Sequence, residues 1–527
     1  MRIVLVGVLI LCCCPLVLPP PGGMQPEAFR LIGVTVLMAT LWVSQAIPLA
    51  ATSLLPLVLF PVLGIQSAKT VSASYINDNV FLYLGGFILA LGIERWNLHR
   101  RIALNVVQLV GVSPRRLVLG FLVATGVLSM WISNTAATLL MLPIALALLK
   151  TLDEEQNVPA ESSRAAGPAG NGRDRISDHL AVPLLLAIAY SASIGGLTTI
   201  MGTPTNSQAV TIYETTYPDA PPISVAQWLL ACAPLGAVYL LATWLVLTWR
   251  LPGGHEHDSS LKQELKKRLV ALGRPTSAEL RMLLMFFLTA ALWVFRQQLS
   301  VGAVTILPGW SGFVPTWLNA LGMSLSPEEL PQFAESCVND STVAMLVAVL
   351  LFCIPSGTVD SQGNSVPLMD WPTATRLPWD IMLLFGGGFA LAGAFKSTDL
   401  SAWLGTAIHG PLQSMPLWAV IAIVCCLMTF LTEFTSNVAT VSTLLPTLCA
   451  VTDALSVDPR LLIVPATLAT SCAFMLPIAT PPNAIVFASG RVHVRQMVYY
   501  GVLLNLIGIP IFTVGTFLLI KPLLGIP

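Results

Sequence analysis

The stretch Ser133-Asn134-Thr135-Ala136-Ala137-Thr138 interrupts an apolar run that extends over residues 117–149. A similar stretch, Ser436-Asn437-Val438-Ala439-Thr440, interrupts a second apolar run over residues 414–454. Ser, Asn and Thr side chains compete for backbone groups and favour turns over helix interiors. If these runs lie in a membrane, irregular backbone there must be buried in protein or line a cavity. We therefore predict two helical hairpins with polar tips.

The composition places the chain in a membrane. Of its 527 residues, 55% are hydrophobic and 10% are charged, whereas soluble domains have about 25% charged residues. Lys and Arg (26) balance Asp and Glu (26), which leaves no basic field to attract nucleic acid. These values exclude a soluble enzyme, a disordered scaffold and a secreted disulfide-rich module. We expect an all-α polytopic protein in the lipid bilayer, with neither enzymatic activity nor a cofactor.

Other apolar runs are also long enough to cross a bilayer, which takes about 20 helical residues. They lie near 2–19, 30–47, 49–65, 79–93, 226–249, 279–296, 341–356, 379–395 and 496–520. Two further stretches, 181–222 and 460–490, are apolar but interrupted in the middle.

The positions of Lys and Arg predict the orientation of these runs, because basic loops stay on the cytoplasmic side. Basic residues cluster in 94–116, 150–180 and 250–278 but are absent from 299–340 and 217–224. The first hairpin then enters from the cytoplasm and the second from outside. The N-terminus is expected in the cytoplasm and the C-terminus outside. Opposite entry of two hairpins is typical of inverted-repeat transporters.

Three motifs occur in the same order in both halves of the chain. The first is Leu84-Gly85-Gly86-Phe87 in one half and Gly386-Gly387-Gly388-Phe389 in the other, the second is the Ser-Asn tip, and the third is a Thr-Pro pair, at 203–204 and 480–481. Gly86 precedes Ser133 by 47 residues, and Gly388 precedes Ser436 by 48. We predict an N-terminal repeat over 1–149, a polar cytoplasmic loop over 150–180, and a broken helix with the next span over 181–250. A cytoplasmic linker follows over 251–278. The C-terminal repeat covers 279–527, with its hairpin at 414–454 and its broken helix at 460–490.

The two interrupted stretches contain Gly202-Thr203-Pro204-Thr205-Asn206 and Ala479-Thr480-Pro481-Pro482-Asn483. Proline breaks a helix because it lacks an N–H and clashes with the preceding turn. Each break exposes carbonyls, which favour cations, and N–H groups, which favour anions. One tip against one break in each half would form two cation sites beside a central cavity. Since none of these motifs contains Lys or Arg, an anion would be held by amides, hydroxyls, helix ends and Na⁺.

Two of the polar features allow more than one interpretation. Ser and Thr in membrane helices often bond only to their own backbone, but the matched repetition favours binding sites. Glu433 is either a functional intramembrane carboxylate or a structural cap of the hairpin.

Asn339 begins a glycosylation sequon in the predicted external loop. We expect no metal site other than sites for Na⁺.

Four segments resemble the divalent anion/sodium symporter family, which in animals is solute carrier family 13. They are SMWISNTA (129–136), ERWNLH (94–99), TEFTSNVAT (432–440) and FMLPIATPPNAIVF (474–487). The resemblance covers nearly the whole chain. It implies eleven membrane spans, two re-entrant hairpins, a homodimer, and an elevator-type motion of a transport domain against a scaffold.

The resemblance also implies the ligands of each site. The first sodium site would use Ser129, Ser133, Asn134 and the backbone at Gly202. The second would use Thr432, Thr435, Asn437 and the backbone at Ala479. The substrate would contact a set drawn from both tips and both breaks: Asn134, Thr135, Thr203, Pro204, Ser436, Asn437, Thr480 and Pro481.

The resemblance implies a sodium-coupled importer of di- and tricarboxylates such as succinate, fumarate, malate and citrate, in the plasma membrane. Thr205 resembles the sulfate carriers of the family, so sulfate is the alternative substrate. Three other features resemble the carboxylate carriers: Leu84-Gly85-Gly86, Ser436-Asn437-Val438 and Thr480-Pro481-Pro482-Asn483. A receptor or channel without transport is the third interpretation. The doubled broken helices argue against it, because a channel has no need of two pseudo-symmetric occluded sites.

Overall fold

The structure is a computed structural model. It describes residues 18–111, 113–156, 176–251, 258–296, 299–301, 304–307, 309–314, 317, 338–360, 362–404 and 415–526. The predicted span at 2–19 lies almost wholly outside these residues, as does much of the loop at 150–180.

The described residues are mostly helical. In chain order the helices are α1 (Pro26–Ser44), α2 (Leu49–Thr52), α3 (Leu55–Val62), α4 (Ala68–Ala73), α5 (Asp78–Arg95), α6 (Leu98–Val110), α7 (Pro114–Ser129), α8 (Asn134–Gln156), α9 (Ile176–Gly196), α10 (Pro204–Thr216), α11 (Val225–Thr248), α12 (Asp258–Ala271), α13 (Ser277–Val294), α14 (Asp340–Cys353), α15 (Trp371–Ala374), α16 (Trp379–Ser397), α17 (Leu417–Thr432), α18 (Asn437–Leu455), α19 (Arg460–Thr470), α20 (Pro481–Phe487), α21 (Val494–Gly515) and α22 (Lys521–Leu523). A 3₁₀ turn covers Trp310–Phe313, and a π turn at Thr516–Ile520 joins α21 to α22.

Strands are few and short. They form two antiparallel pairs, β1 (Leu299–Val301) with β2 (Val304–Leu307), and β3 (Pro355–Val359) with β4 (Ser365–Pro367). Both pairs lie in connections between long helices. They are an addition to the all-α prediction and leave its architecture unchanged.

Eight helices among the described residues are long and apolar enough to cross a membrane. They are Pro26–Ser44, Asn134–Asp153, His179–Gly196, Val225–Thr248, Ser277–Val294, Trp379–Ser397, Asn437–Leu455 and Val494–Leu523. The prediction of an all-α polytopic membrane protein is therefore confirmed.

Two stretches differ from their sequence-based descriptions. The run at 49–65 forms two short helices, α2 and α3, rather than one span. Pro56 stands in the first turn of α3, where its missing N–H is harmless. In the middle of one continuous helix, the same proline would break the helix. The predicted linker at 251–278 contains the helix α12, which buries Leu261 and Leu265.

Each polar tip separates two helices by four residues. In the first hairpin, α7 ends at Ser129 and α8 begins at Asn134. In the second hairpin, α17 ends at Thr432 and α18 begins at Asn437. The Asn of each tip thus occupies the first position of the returning helix.

Each predicted break also separates two helices. The first broken helix consists of α9 and α10, with residues 197–203 between them. The second consists of α19 and α20, with residues 471–480 between them. In both, Pro stands at the start of the second half-helix, where its fixed φ suits a helix beginning.

Helix α9 lies at the centre of the molecule. Of the residues over His179–Gly196, 94% are buried, as expected for a helix that is apolar on all sides. It packs against α7, α8 and α11 and also against α20 of the other half. Helix α10 likewise packs against α16 and α18. The half-helices of each half therefore pack against elements of both halves.

Candidate ion and substrate site

The first tip brings several oxygens together around Asn134. One terminal atom of its side-chain amide lies 2.7 Å from Ser129 Oγ, 3.0 Å from the Ala192 carbonyl oxygen and 3.2 Å from the Gly202 carbonyl oxygen. Ser129 Oγ also donates a hydrogen bond to the Ala192 carbonyl at 2.6 Å. With the amide nitrogen in this place, its two N–H groups donate among these three oxygens. With the amide oxygen there, four oxygens face one another, an arrangement that a bound cation would stabilise.

Two glycines allow the first break to approach this tip. A Cβ atom on Gly202 would lie 2.4 Å from the Gly196 carbonyl oxygen and 2.9 Å from the Ser129 carbonyl oxygen. A Cβ atom on Gly196 would lie 2.4 Å from Asn134 Oδ1. No side chain larger than hydrogen fits between these groups. Backbone oxygens of the tip and of the break therefore come close to one another.

The second tip repeats the pairing of a hydroxyl with an amide five residues later. Thr432 Oγ1 donates to Asn437 Oδ1 at 2.6 Å, and in the first tip Ser129 and Asn134 form the matching pair. Thr432 and Ser129 are fully buried at the ends of the entering helices. Each half thus pairs a buried hydroxyl with the side-chain amide of its tip asparagine.

The other predicted sodium ligands lie nearby but make different contacts. Ser133 is exposed, and its hydroxyl accepts from the Ala136 N–H in the first turn of α8. Thr435 Oγ1 donates to the Leu431 carbonyl at 3.0 Å and pairs with Thr440 Oγ1 at 2.6 Å. Ala479 is buried in the second break. The structure brings Ser129, Asn134 and Gly202 together directly, and Thr432 with Asn437.

Glu433 connects the second tip to the second break. Its Oε1 accepts from the N–H groups of Phe474 at 2.8 Å and Met475 at 2.9 Å, and from Asn505 Nδ2 at 2.7 Å. Its Oε2 accepts from the N–H groups of Met475 and Leu476, both at 3.1 Å. Glu433 is fully buried. Of its two sequence-based interpretations, these contacts favour the structural one, with the carboxylate capping N–H groups that the break leaves free.

The first half uses a hydroxyl where the second uses this carboxylate. Met130 occupies the position that corresponds to Glu433, immediately after Ser129. The Met130 carbonyl accepts from Thr199 Oγ1, which itself accepts from the Gly202 N–H at 2.9 Å. Thr199 therefore connects the first tip to the first break through neutral groups.

Asn206 and Asn483 hold the two breaks closed in the same manner. Asn206 Nδ2 donates to the carbonyls of Gly196 at 3.1 Å and Thr199 at 2.7 Å. Asn483 Nδ2 donates to the carbonyls of Ala473 at 2.9 Å and Leu476 at 3.0 Å. In both cases the acceptors lie ten and seven residues before the asparagine. The sequence motifs include both asparagines but did not predict this role for them. Their matched positions after each proline were the available signal.

The predicted substrate residues differ in burial, and two of them, Thr203 and Thr480, are buried. Thr135, Ser436 and Asn437 are half-buried, and Pro481 is exposed. Thr203 and Thr480 stand immediately before Pro204 and Pro481, at the N-terminal ends of the two half-helices. N–H groups at such ends favour anions.

Thr205 and Gln208 connect the two halves. The Thr205 hydroxyl lies 3.2 Å from the Thr203 hydroxyl and 3.0 Å from the Ser471 hydroxyl at the second break. Gln208 Nε2 donates to Ser442 Oγ in the second hairpin. Thr205, the one residue that resembles sulfate carriers, is fully buried and directs its hydroxyl to this connection.

Asn339 caps the N-terminus of α14. Its Oδ1 accepts from the Thr342 N–H at 2.9 Å, and its Nδ2 donates to Asp78 at 3.3 Å. Asp340, the second residue of the sequon, is buried and pairs with Arg296 at 2.5 Å. Glycosylation of Asn339 stays a prediction, and it would have to precede the folding of this helix end.

Across the described ranges, no group of three or more His, Cys, Asp and Glu side chains is placed to hold a metal ion. A cation at the tips would therefore be coordinated by neutral hydroxyl, amide and carbonyl oxygens. Such hard oxygen ligands suit alkali and alkaline-earth cations, and neutral ones suit Na⁺.

Comparison with known proteins agrees with this geometry. A family model described as the sodium:sulfate symporter transmembrane region matches residues 2–526. A sodium-dependent dicarboxylate transporter, SdcS, of Staphylococcus saprophyticus is 36% identical over 519 residues, covering 97% of this chain and 90% of the relative. SdcS of Staphylococcus aureus is 36% identical over 516 residues, covering 96% of this chain and 88% of the relative.

Two solved structures share the fold at low sequence identity. One is MtrF of Neisseria gonorrhoeae, which is described as an antimetabolite efflux pump, with a TM-score of 0.53, 12% identity and 98% coverage of both chains. The other is the YdaH transporter of Alcanivorax borkumensis, with a TM-score of 0.53, 12% identity, and coverage of 93% of this chain and 97% of that one. The full-length family match and the SdcS relatives confirm the resemblance, and the chain belongs to the sodium:sulfate symporter family of divalent anion/sodium symporters.

Proposed function

We propose that the protein is a sodium-coupled symporter that imports dicarboxylates. The observation that carries this proposal is the repeated hydroxyl–amide pair, Ser129 with Asn134 and Thr432 with Asn437, each at the tip of a hairpin. The names of the SdcS relatives supply the ion and the substrate class.

The chemistry of the tips supports coupling between cation and anion. The tip and break motifs contain no Lys or Arg. A dianion brought there without fixed positive charge would be poorly stabilised, because burying an unpaired charge is unfavourable. Na⁺ beside Asn134 and Asn437 would supply that charge. Binding of Na⁺ thereby becomes a condition for binding of the dianion, which is a coupling free energy between two sites.

The finer features of the proposal rest on the family resemblance. The substrates are succinate, fumarate, malate and citrate, and the protein lies in the plasma membrane with a cytoplasmic N-terminus and an external C-terminus. It works as a homodimer in which a transport domain containing both hairpins moves relative to a scaffold. The first hairpin enters from the cytoplasm and the second from outside. The protein is a carrier and catalyses no covalent reaction.

An uptake experiment tests the proposal directly. Purified protein in liposomes is given radiolabelled succinate, citrate or sulfate, with an inward Na⁺ gradient or with K⁺ in place of Na⁺. We expect Na⁺-dependent uptake of succinate that unlabelled fumarate and malate reduce by competition. Protein-free liposomes supply the background.

Each other outcome of the uptake experiment contradicts a different part of the proposal. Uptake that is equal in Na⁺ and K⁺ would contradict symport. Na⁺-dependent uptake of sulfate alone would replace the carboxylate proposal with the sulfate alternative that Thr205 suggests. Binding of succinate without uptake would favour a receptor.

A further inference from the structure

A basic cavity lies away from both hairpin tips, where three helices end or begin. It has a volume of about 360 Å³. The first turns of α9, the end of α11 and the first turns of α21 form its walls. By the distribution of Lys and Arg, this is the cytoplasmic end of these helices.

The lining of this cavity is positively charged. Arg250 and Arg495 line it together with His179, and no carboxylate is among the described lining residues. Both arginines are exposed to solvent at the cavity rim. The Arg250 guanidinium lies over the ring of Tyr499, 5.9 Å from its centroid, and 5.4 Å from that of Trp249. Such cation–π contacts help to hold a guanidinium in place.

The floor of the cavity is apolar. Val182, Leu247 and Leu251 line it, and each is at least 90% buried. Tyr499 and Tyr500 add aromatic side chains beside this floor. A small soluble anion such as inorganic phosphate has no apolar part that would contact this apolar surface. A phospholipid presents a phosphate and, immediately below it, glycerol ester and acyl groups.

We propose that this cavity binds the phosphate group of an anionic phospholipid at the membrane surface. Arg250 and Arg495 contact the phosphate, and the apolar floor contacts the glycerol backbone and the first acyl carbons. Arginine suits this role because its planar guanidinium donates two hydrogen bonds to phosphate oxygens at once. Basic pockets between membrane helices on the cytoplasmic side are known to bind anionic lipid headgroups.

The experiment measures binding and requires no transport. The full-length protein in detergent is titrated with phosphatidylglycerol, with phosphatidylcholine of the same acyl chains, with glycerol phosphate and with inorganic phosphate. Retained lipid is counted by native mass spectrometry, and the midpoint of thermal unfolding is followed in parallel. We expect phosphatidylglycerol to bind and stabilise the protein, and the other three compounds to have much smaller effects.

Variants locate the effect. For the double variant Arg250→Gln and Arg495→Gln, we expect about 30-fold weaker binding of phosphatidylglycerol, or ~1 kcal/mol for each arginine. The double variant with Lys at both positions should keep most of the affinity, because the charge remains. Arg116→Gln removes an exposed arginine outside the cavity, on a segment predicted to face the same side, and should bind as the unaltered protein does.

Three results would overturn the proposal. Unchanged binding of phosphatidylglycerol to the double Gln variant would place the lipid elsewhere. Equal binding of phosphatidylcholine would show that the negative headgroup is not recognised. Equal stabilisation by glycerol phosphate or inorganic phosphate would identify a site for soluble phosphates instead of a lipid.

Discussion

Gly202 and Ala479 occupy equivalent positions in the two breaks, but only the first break is closed to a methyl group. A Cβ atom on Gly202 would lie 2.4 Å from the Gly196 carbonyl oxygen and 2.8 Å from the Gly196 Cα. Ala473 stands in the second half where Gly196 stands in the first. The first tip and break therefore pack more closely than the second, although the sequence motifs look alike.

Gly202→Ala should abolish Na⁺-dependent uptake. The atoms that a methyl group would meet belong to the backbone of Gly196 and Ser129, so they cannot move aside by a rotamer change. The break would shift away from Asn134 and separate the candidate ligands. Succinate uptake at saturating and at low Na⁺ measures the effect.

Ala479→Gly is the matched control for this substitution. It removes a methyl group from a position that already accepts one, and we expect Na⁺-dependent uptake to persist. The cost in stability should be about 1 kcal/mol or less, the usual range for Gly replacing Ala. Equal loss of uptake in both variants would show that general fragility of the breaks, rather than close packing at Gly202, explains the result.

Ser129→Ala and Thr432→Ala should weaken the two sodium sites by similar amounts. Each removes the hydroxyl that pairs with the tip asparagine. A neutral hydrogen bond contributes about 0.5–1.5 kcal/mol, which corresponds to roughly 2- to 10-fold in apparent Na⁺ affinity. The Na⁺ concentration for half-maximal succinate uptake measures this shift.

Ser129→Thr and Thr432→Ser exchange the hydroxyls of the two halves and should retain uptake. Asn134→Ala and Asn437→Ala, which remove the amides themselves, should abolish the Na⁺-dependent component. Wild-type Na⁺ dependence in both Asn variants would mean that the cation sites lie elsewhere.

Polar residues inside apolar runs occur twice in matched positions, and this repetition made much of the site predictable from the sequence. Ser133-Asn134-Thr135 and Ser436-Asn437-Val438 are polar groups in apolar runs, so the sequence alone indicates the positions of both hairpin tips. The prolines at 204 and 481 indicate where the half-helices begin, because proline is favoured at such positions.

The parts of the site that the sequence did not predict depend on contacts between segments that are distant in the chain. The Glu433 carboxylate accepts hydrogen bonds from the backbone N–H groups of residues 474–476 and from the side-chain amide of Asn505. No local pattern shows which N–H groups a buried carboxylate will meet. The connection from Thr205 to Ser471 likewise joins two halves whose packing order is visible only in three dimensions.

Asn206→Ala and Asn483→Ala should destabilise the protein to a similar extent. Each buried side chain donates to two carbonyls that the break leaves without helical partners. Leaving buried polar groups unpaired costs about 1–3 kcal/mol each. Thermal unfolding in detergent should show a lower midpoint for both variants, whereas Asn364→Ala, in an exposed turn, should leave it nearly unchanged. A marked drop in only one of the two would mean that the breaks are held by different means.

Glu433→Gln should impair the second break without changing how uptake depends on pH. Glutamine keeps the size of the side chain, but its Nε2 would face N–H donors where Glu433 presents an acceptor to Met475 and Leu476. We expect a lower unfolding midpoint and a weaker apparent Na⁺ affinity, because the break would no longer be held against the tip. Asn505→Ala removes one donor to the same carboxylate and should have a smaller effect of the same kind.

If Glu433 instead carried a transported proton, Glu433→Gln would abolish a pH-dependent component of succinate uptake while leaving the unfolding midpoint unchanged. The two roles therefore make opposite predictions for the same pair of measurements.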